Sequence, residues 1–481
     1  MYKMSSNITK AHASEKLKQI AFSSQQHLLT FWDDIDEREQ EQLGQQILDL
    51  DARLISKLLN DNVVRSDDLG QNLADTDDTA HKFAPPPAIR LDDPDPQFDA
   101  RQAKQRGEET IRSCELGVIL VAGGQGTRLG FDHPKGMYPI GPVSGHTMFQ
   151  IFIERILAVR KRYSAEIPLY VMTSPATHDE TVQFLDEHNR FGLPYHDLKV
   201  FCQGTMPAVD GDGKLILASK SSLALSPDGH GGMLAALAKS GCLSDAARRG
   251  IAHLFYGQID NPLVQICDPQ FVGFHSLSKS EMTTQAVARA GPSEKVGNLV
   301  SLDGSVRIVE YIHFPEELAN ERDTSGSLKF WAGSIAVHMF DVRFLDRMSS
   351  SSDAMPWNCA KKKTPYVDQD GVLIEPETPN ATKFERFIFD LLPHAKNAIV
   401  VEGDRRRVFA PVKNANKEQV DTPETAQSAM IAEHTRWLRE AGATVADGTR
   451  VEISPLFALD ADELAAKIER GLHVTKDTFF H

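Results

Sequence analysis

The chain has 481 residues, too many for one ordinary core, so two or three domains are expected. Charged residues make up 25% and hydrophobic ones 41%, the balance of a soluble globular protein, and Lys+Arg 52 against Asp+Glu 67 leaves a net charge of −15. So acidic a chain is a poor nucleic-acid or membrane binder, and a phosphate ligand would have to meet a local positive site. The five cysteines, Cys114, Cys202, Cys242, Cys267 and Cys359, are scattered and form no CxxC pair, which suits a reducing compartment and argues against zinc. No segment reaches the ~18 apolar residues of a membrane span, and a cytoplasmic location is expected.

In chain order, residues 13–60 read as helical, with Leu43, Ile47, Leu54 and Leu58 at roughly helical spacing among many Glu, Gln and Asp. The stretch HKFAPPPAIRLDDPDP (81–96) follows, an extended proline-rich connector and a domain boundary. From about residue 111, apolar strands alternate with amphipathic helices. GVILVA (117–122) and PLYVMTS (168–174) read as strands. TMFQIFIERILAVRKR (147–162) reads as a helix with Phe149, Phe152, Ile153, Ile156 and Leu157 on one face. This alternation implies a mostly parallel sheet with helices on both faces. FERFIFDL (384–391) reads as helical, its Phe384, Phe387, Ile388 and Leu391 forming a core stripe. A last section starts near 397 with the strand NAIVVEG. It continues with a helix after Asp421-Thr422-Pro423, proline taking the first helical position and Gly442 following the end. Asp460 and Glu463 open a final helix in a capping-box arrangement.

The strand at 117–122 runs into Gly123, Gly124 and Gly126, with Arg128 in the same loop and Lys135 beyond it in Pro134-Lys135-Gly136. Carboxyl ends of parallel strands are where such sheets bind nucleotides. Glycine lets a ligand approach the backbone, and successive N–H groups can face one anion. The P-loop string GxxxxGK[ST] is absent, and Gly124, Gly126 and Gly130 give GxGxxxG, one residue too long for the dinucleotide fingerprint. A plain glycine turn stays open on the glycines alone. Arg128 and Lys135 favour a polyphosphate, because Arg clasps phosphate oxygens bidentately and Lys adds a point charge.

The string GGQGTRLGxxxPKG resembles the signature of the eukaryotic-type UDP-N-acetylhexosamine pyrophosphorylases, within the larger UDP-sugar pyrophosphorylase family. The resemblance continues in order through VMTS (171–174), CQGTMPA (202–208), SPDGHGG (226–232), GQIDNPL (257–263), DPQFVGFH (268–275), VEY (309–311), KKKTPYVD (361–368), KFERFIFD (383–390) and FAPVKNAN (409–416). It implies an α/β, Rossmann-like (glycosyltransferase-A-like) nucleotidyltransferase with a central mixed sheet, helices on both faces and smaller terminal domains. The expected division is 1–100, 101–396 and 397–481. It also implies a uridylyltransferase: UTP and a sugar 1-phosphate give a UDP-sugar and pyrophosphate, the sugar being N-acetylglucosamine in the first instance. Neither nucleic acid nor membrane is an expected partner, and monomer and homodimer both stay open.

The resemblance assigns roles residue by residue. Ala122, Gly123, Gly124 and Gly126 would offer backbone to the nucleotide; Arg128, Lys135, Lys383 and Lys413 would hold phosphates, with Arg128, Lys135 and Lys413 nearest the chemistry. Gln203 and Gly229 match positions that read uracil; a Gln amide suits its donor-acceptor edge. Asp260 follows the apolar segment LFYG, and a carboxylate there suits Mg²⁺ bridging phosphates, or equally a turn cap before Asn261-Pro262. Glu310 and Tyr311 match a pair beside the sugar, although Glu310 also reads as a solvent-facing strand carboxylate. Lys361, Lys362 and Lys363 read as a solvated run. His133 and His230 lack the partners of a zinc pair. Two positions depart from the family pattern near the sugar: His230 and Ser334 stand where Asn is usual. They open the alternative of a UDP-glucose or broad UDP-sugar enzyme. A non-catalytic sugar-nucleotide sensor would be expected to lose the cations or Asp260, and a nicotinamide oxidoreductase is disfavoured by the glycine spacing.

Overall fold

A computed structural model describes residues 8–20, 24–63, 82–92, 98–351 and 355–481. The end of the proline-rich connector, 93–96, and its first residue, His81, lie outside the described residues. The chain forms two compact units interleaved in sequence. One comprises Met1–Gln71, Gly204–Gly232 and Met355–Ile388; the other comprises Asn72–Gln203, Met233–Ala354 and Phe389–His481.

In the first unit the expected helical stretch 13–60 is not continuous. It holds helices Lys10–Lys18, Glu37–Leu48 and Ala52–Val63, the first two separated by 3₁₀ turns Gln26–Leu29 and Trp32–Asp34 and the last two by a short turn, with 21–23 outside the described residues. Two aspartates set the starts. Asp36 accepts from the Glu39 N–H at 2.9 Å while Glu39 accepts from the Asp36 N–H at 3.1 Å, and Asp51 accepts from the N–H groups of Arg53 and Leu54. Leu17, Leu43, Ile47 and Leu58 bury against Met206, Leu217 and Phe384 of the same unit. The stretch 384–391 is corrected from helix to strand Ala381–Glu385 followed by a 3₁₀ segment Ile388–His394. Its helix-forming N–H groups are taken elsewhere: Arg386 N–H donates to the Asp228 carbonyl (2.9 Å) and Ile388 N–H to His230 Nδ1 (3.2 Å).

The second unit is built on a ten-stranded sheet: β1 (Ala88–Ile89), β2 (Leu116–Val121), β3 (Leu169–Thr173), β4 (Leu198–Cys202), β5 (His253–Gln258), β6 (Met282–Ala288), β7 (Asn298–Leu302), β8 (Ser305–Val309), β9 (Ala332–Asp341) and β10 (Ala398–Glu402). Its order is β1-β10-β6-β9-β5-β2-β3-β4, with β7 paired to β8 and β9. Neighbours are parallel except at β9, which runs against β5, β6 and β7, and between β7 and β8. The expected mixed sheet is therefore present, and β2 is its switch point: the chain winds outward to β3 and β4 on one side, and β5 lies on the other. Val121 at the end of β2 stands opposite both Met172 and Gln258, so β2, β3 and β5 finish level. Ligands of open α/β sheets bind beyond such strand ends.

Helix Met148–Tyr163, opened by the Thr147 side chain, buries Phe149, Phe152, Ile153 and Ile156 in the main core. Helix Pro423–Glu440 has Thr422 as its cap and Pro423 in its first turn, as expected, and Gly442 past its end is left-handed at φ 83°. Trp437, Leu438, Val451 and Leu464 make a small cluster of their own within 397–481. None of the described helices is long and apolar enough to cross a membrane, and none of the five cysteines is in a disulfide.

Candidate active site

Beyond β2 the chain closes a loop on itself. The Gly126 N–H donates to the His133 carbonyl (2.9 Å), and the Lys135 N–H donates to the Gly124 carbonyl (3.0 Å). The closure requires glycine at 126, because a Cβ there would come within 2.6 Å of the Phe131 carbonyl oxygen. Its effect is to set Lys135, eleven positions after Gly124, beside the loop's base, while Gly124 and Arg128 stay exposed at its mouth. Ser174, at the end of β3, fixes the other flank by donating its hydroxyl to the Gly123 carbonyl at 2.8 Å. Gln203, just past β4, is buried, and its amide nitrogen lies 3.2 Å from where a Gly123 Cβ would be. Ala122 is fully buried under this turn.

The end of β5 supplies the opposite charge. Asp260 stands in the turn after Gln258, and its carbonyl accepts from the Val412 N–H at 2.8 Å. Its neighbour Asn261 is 2% exposed and bridges the two segments. The Asn261 Nδ2 donates to the Val408 carbonyl (2.8 Å), and its Oδ1 accepts from the Ala410 N–H (3.0 Å). The segment so anchored ends in Lys413, whose N–H donates to the Asp421 carbonyl at 2.7 Å. Asp421 holds a left-handed backbone at φ 56°, uncommon for a residue with a side chain. Lys135 Nζ donates to the Val412 carbonyl at 3.2 Å, joining the glycine loop to this segment.

The cations share one field. Burial pushes the Lys135 ammonium below the ordinary lysine range; Asp260 opposes that shift, and Lys413 and Arg128 reinforce it. One aspartate and two further cations thus act on Lys135 together. Asp421, pushed up by burial, also feels Lys413 and Asp260. Burial likewise pushes the Glu310 carboxyl up, with Lys413 opposing. Glu310 follows β8 and lies by Gly297, where a Cβ would be 3.7 Å from Glu310 Oε1 and 3.9 Å from the Ser334 Cβ. Ser334 belongs to a bulge: the β6–β9 register slips between Gln285 and Ala286, and Ala336 is left-handed at φ 55°. Such bulges re-aim side chains near functional sites. Tyr311, next to Glu310, is 41% exposed. Arg128, Lys135, Asp260, Lys413 and Glu310 are therefore brought together electrostatically in the second unit, with Ser334 beside Glu310.

Gly229, His230 and Lys383 belong to the first unit. Gly229 is left-handed at φ 82°, and a Cβ there would strike the Arg386 carbonyl oxygen at 2.4 Å. His230 stacks on Phe387 (5.4 Å, 29°), and burial pushes its imidazole down to about 4, so it is neutral and accepts the Ile388 N–H. Lys383 is half-buried on a strand, paired with Ala360. Lys361, Lys362 and Lys363 are exposed, as a solvated run should be. Asn261, Asp421 and Ser174 were not singled out by sequence as site residues. Asn261 reads simply as a turn former before proline, and the left-handed backbone of Asp421 has no local signature.

The family model described as UTP–glucose-1-phosphate uridylyltransferase matches residues 80–472. The chain belongs to this family. It is 36% identical over 447 residues to the UDP-N-acetylhexosamine pyrophosphorylase-like protein 1 of Xenopus tropicalis, covering 91% of this chain and 87% of that one. It is 35% identical over 457 residues to the UDP-N-acetylglucosamine pyrophosphorylase of Saccharomyces cerevisiae, covering 92% and 94%. The solved UDP-N-acetylglucosamine pyrophosphorylase of Trypanosoma brucei, in complex with inhibitor, superposes with a TM-score of 0.80 at 25% identity over 99% of each chain. The family match thus covers the glycine loop, Asp260 and Lys413 alike.

Proposed function

We propose that the chain transfers uridylyl from UTP to a sugar 1-phosphate, N-acetylglucosamine 1-phosphate by preference, releasing pyrophosphate and a UDP-sugar. The observation that carries this reading is that Arg128, Lys413 and Asp260 all act on Lys135, where the glycine loop after β2 meets the segment held to the turn after β5. A phosphate oxygen of the sugar phosphate attacks the α-phosphorus of UTP. The bond from that phosphorus to the bridging oxygen breaks, and pyrophosphate leaves with the electron pair. Both partners are anions, so catalysis consists of bringing them in line and neutralising charge. Arg128 at the loop mouth faces the leaving pyrophosphate, Lys135 and Lys413 steady the phosphates, and Glu310 accepts from sugar hydroxyls. Gly123, Gly124 and Gln203 frame the nucleotide.

Mg²⁺ fits the donor set of this cluster. Asp260 and Asp421 are hard oxygen donors within each other's field. Among the described residues no three His, Cys, Asp or Glu side chains gather, and Mg²⁺ characteristically takes one or two carboxylates and completes its shell with water and substrate phosphate. Asp260, with Asp421, would hold it, and when bound it would supply further neutralisation of phosphate charge. Five cysteines without a disulfide support a reducing, cytoplasmic setting.

The N-acetyl preference draws on the kinship with N-acetylhexosamine enzymes. A second reading, glucose or broad sugar use, draws on Ser334, a short side chain that shares the surroundings of Gly297 with Glu310 and stands where the family usually carries Asn. The test is pyrophosphate release from UTP with N-acetylglucosamine, N-acetylgalactosamine and glucose 1-phosphates. Absence of UTP-dependent release with every sugar would overturn the reading, and a higher kcat/KM for glucose 1-phosphate would select the second.

A further inference from the structure

Within the second unit lies a cavity of about 340 Å³, within the size range of small-molecule pockets. None of the residues given a phosphate or sugar role above lines it. One wall is apolar, formed by Val159, Leu263, Trp437 and Leu459. Arg155, from helix Met148–Tyr163, forms its charged wall. Arg155 Nη1 donates to the Val264 carbonyl in a close contact and to the Pro262 carbonyl at 3.4 Å, and among the described residues no carboxylate pairs with it. The neighbouring arginines are already neutralised. Arg162 is paired with Asp460 (2.6 Å) and Glu463, and Arg436 with Glu433 (2.6 Å) and Glu440. Arg407 lies 3.4 Å from Glu433. Of the acidic lining residues, Asp268 caps a helix by accepting the Phe271 N–H at 2.8 Å, and Asp462 sits in the first turn of helix Ala461–Ala465. Lys104, the other lining cation without a carboxylate partner among the described residues, is exposed, as is Asp462, so the half-buried Arg155 guanidinium is the uncommitted cation of this wall. Burial pushes Arg155 down to about 10, a strain that a bound anion would relieve.

We propose that this cavity is a second binding site, for a small organic anion whose charged head sits on Arg155 and whose apolar body lies against Leu263, Trp437 and Leu459. Its occupancy is felt at the reactive cluster. Arg155 grips carbonyls two and four positions after Asp260, and Arg407, which also lines the cavity, directly precedes Val408, the residue that Asn261 holds. An occupant therefore touches both segments whose meeting sets Asp260 beside Lys413. The binding half stands on the cavity alone; the coupling half rests on the functional reading above.

The test uses 4-fluorobenzoate and the full chain. Fluorine NMR is recorded with UDP-N-acetylglucosamine present in excess, and UTP affinity is measured by calorimetry with and without the probe. Saturable binding is expected in the presence of the UDP-sugar. It should be weakened at least about tenfold by Arg155→Gln, the weight of a charge-assisted contact, and equally by Ala461→Leu, which fills the cavity. Arg155→Lys should retain most of it. UTP affinity should shift by about fivefold or more, and not in Ala461→Leu. No saturable binding, binding equal in all variants, or binding that the UDP-sugar displaces would overturn the site. A UTP affinity indifferent to the probe would overturn the coupling. Failure to bind UTP at all would instead sink the functional reading, and the fluorine measurement, which needs no UTP, tells the two apart.

Discussion

The strongest structural claim about the reactive cluster is that Asn261 holds it together, and Asn261→Ala tests it. The side chain is 2% exposed and makes two hydrogen bonds, to the Val408 carbonyl at 2.8 Å and from the Ala410 N–H at 3.0 Å. Truncation removes both and strands one backbone acceptor and one donor. A stranded buried group costs about 1–3 kcal/mol. Partial access of water to the small void left behind places the sum for two groups near 2–4 kcal/mol. The functional loss has a different origin. Residues 408–413 would no longer be pinned to the turn of Asp260, and a misplacement of about 1 Å in a positioned group can cost about 10²-fold in rate. Asn261 touches neither substrate in this reading; it is a positioning residue, so kcat should fall while KM for UTP changes much less. Urea unfolding gives the stability term, and steady-state pyrophosphate release at low temperature, on protein shown to be folded, gives the kinetic one. A variant destabilised by that amount with kcat within twofold of wild type would show that Asn261 merely fastens the fold, and the argument linking it to Asp260 and Lys413 would fail.

The other predictions concern the charged groups. Lys135 is held below the ordinary lysine range by burial, so kcat/KM should fall on the alkaline side at a pH below lysine's usual ~10.4; Lys135→Arg should push that limb to higher pH, and an unmoved limb would exclude Lys135 as its source. By linkage, the same depressed value means that the unfolded chain binds more protons in that window. The unliganded protein should therefore gain stability as pH rises through the folded-state pKa of Lys135, a gain absent from Lys135→Met in parallel urea titrations. If its charge faces the leaving pyrophosphate as proposed, Arg128→Ala should lower turnover by about 10²–10³ yet leave UDP-sugar affinity nearly intact; equal losses in both would place Arg128 in ground-state binding. Asp260→Asn should raise the magnesium needed for half-maximal rate as well as slow the reaction, and an unchanged magnesium requirement would make Asp260 a turn residue. Ser334→Asn should raise the N-acetylglucosamine-to-glucose ratio of kcat/KM by about tenfold to a hundredfold, the weight of one buried hydrogen bond at ~1.4 kcal/mol per decade; a fixed ratio would remove Ser334 from the sugar wall.

What could be read in the sequence follows from how local each signal is. GVILVA, PLYVMTS and NAIVVEG are strands in the structure because continuous apolar runs bounded by turn residues leave few other solutions. Thr422 and Pro423 open a helix because capping is decided within four residues. The signal fails where long-range partners compete. FERFIFDL has helical spacing, yet Phe384 is drawn into a strand opposite Cys359, and the Arg386 and Ile388 N–H groups are claimed by Asp228 and His230. The expected capping box at Asp460 is half made: Asp460 accepts the Glu463 N–H, but the Glu463 carboxylate turns to the Leu459 N–H and to Arg162. In the site, Gly126, Arg128 and Lys135 are legible together because one loop closes over them. The meeting of Asp260 with Lys413 is not, since it depends on sheet order and on Asn261.

The field of the cluster bears on how an acidic chain can work on anions. At −15 overall, the distant surface repels UTP and a sugar phosphate alike, but beyond a Debye length of about 8 Å at physiological salt that repulsion is largely screened. Recognition therefore falls to groups within a few ångströms. There the balance reverses: Arg128 and Lys413 act on Lys135 with only Asp260 opposing them, and burial also holds the Lys135 ammonium below the ordinary lysine range. The cost of that burial is borne by the unliganded protein and is relieved when phosphate arrives, so the fold keeps part of its electrostatic gain in reserve for the bound state. Arg128, exposed at the loop mouth, carries no such burial, and in the reading proposed above it meets the charge that grows on the leaving group without having first been neutralised by a carboxylate among the described residues.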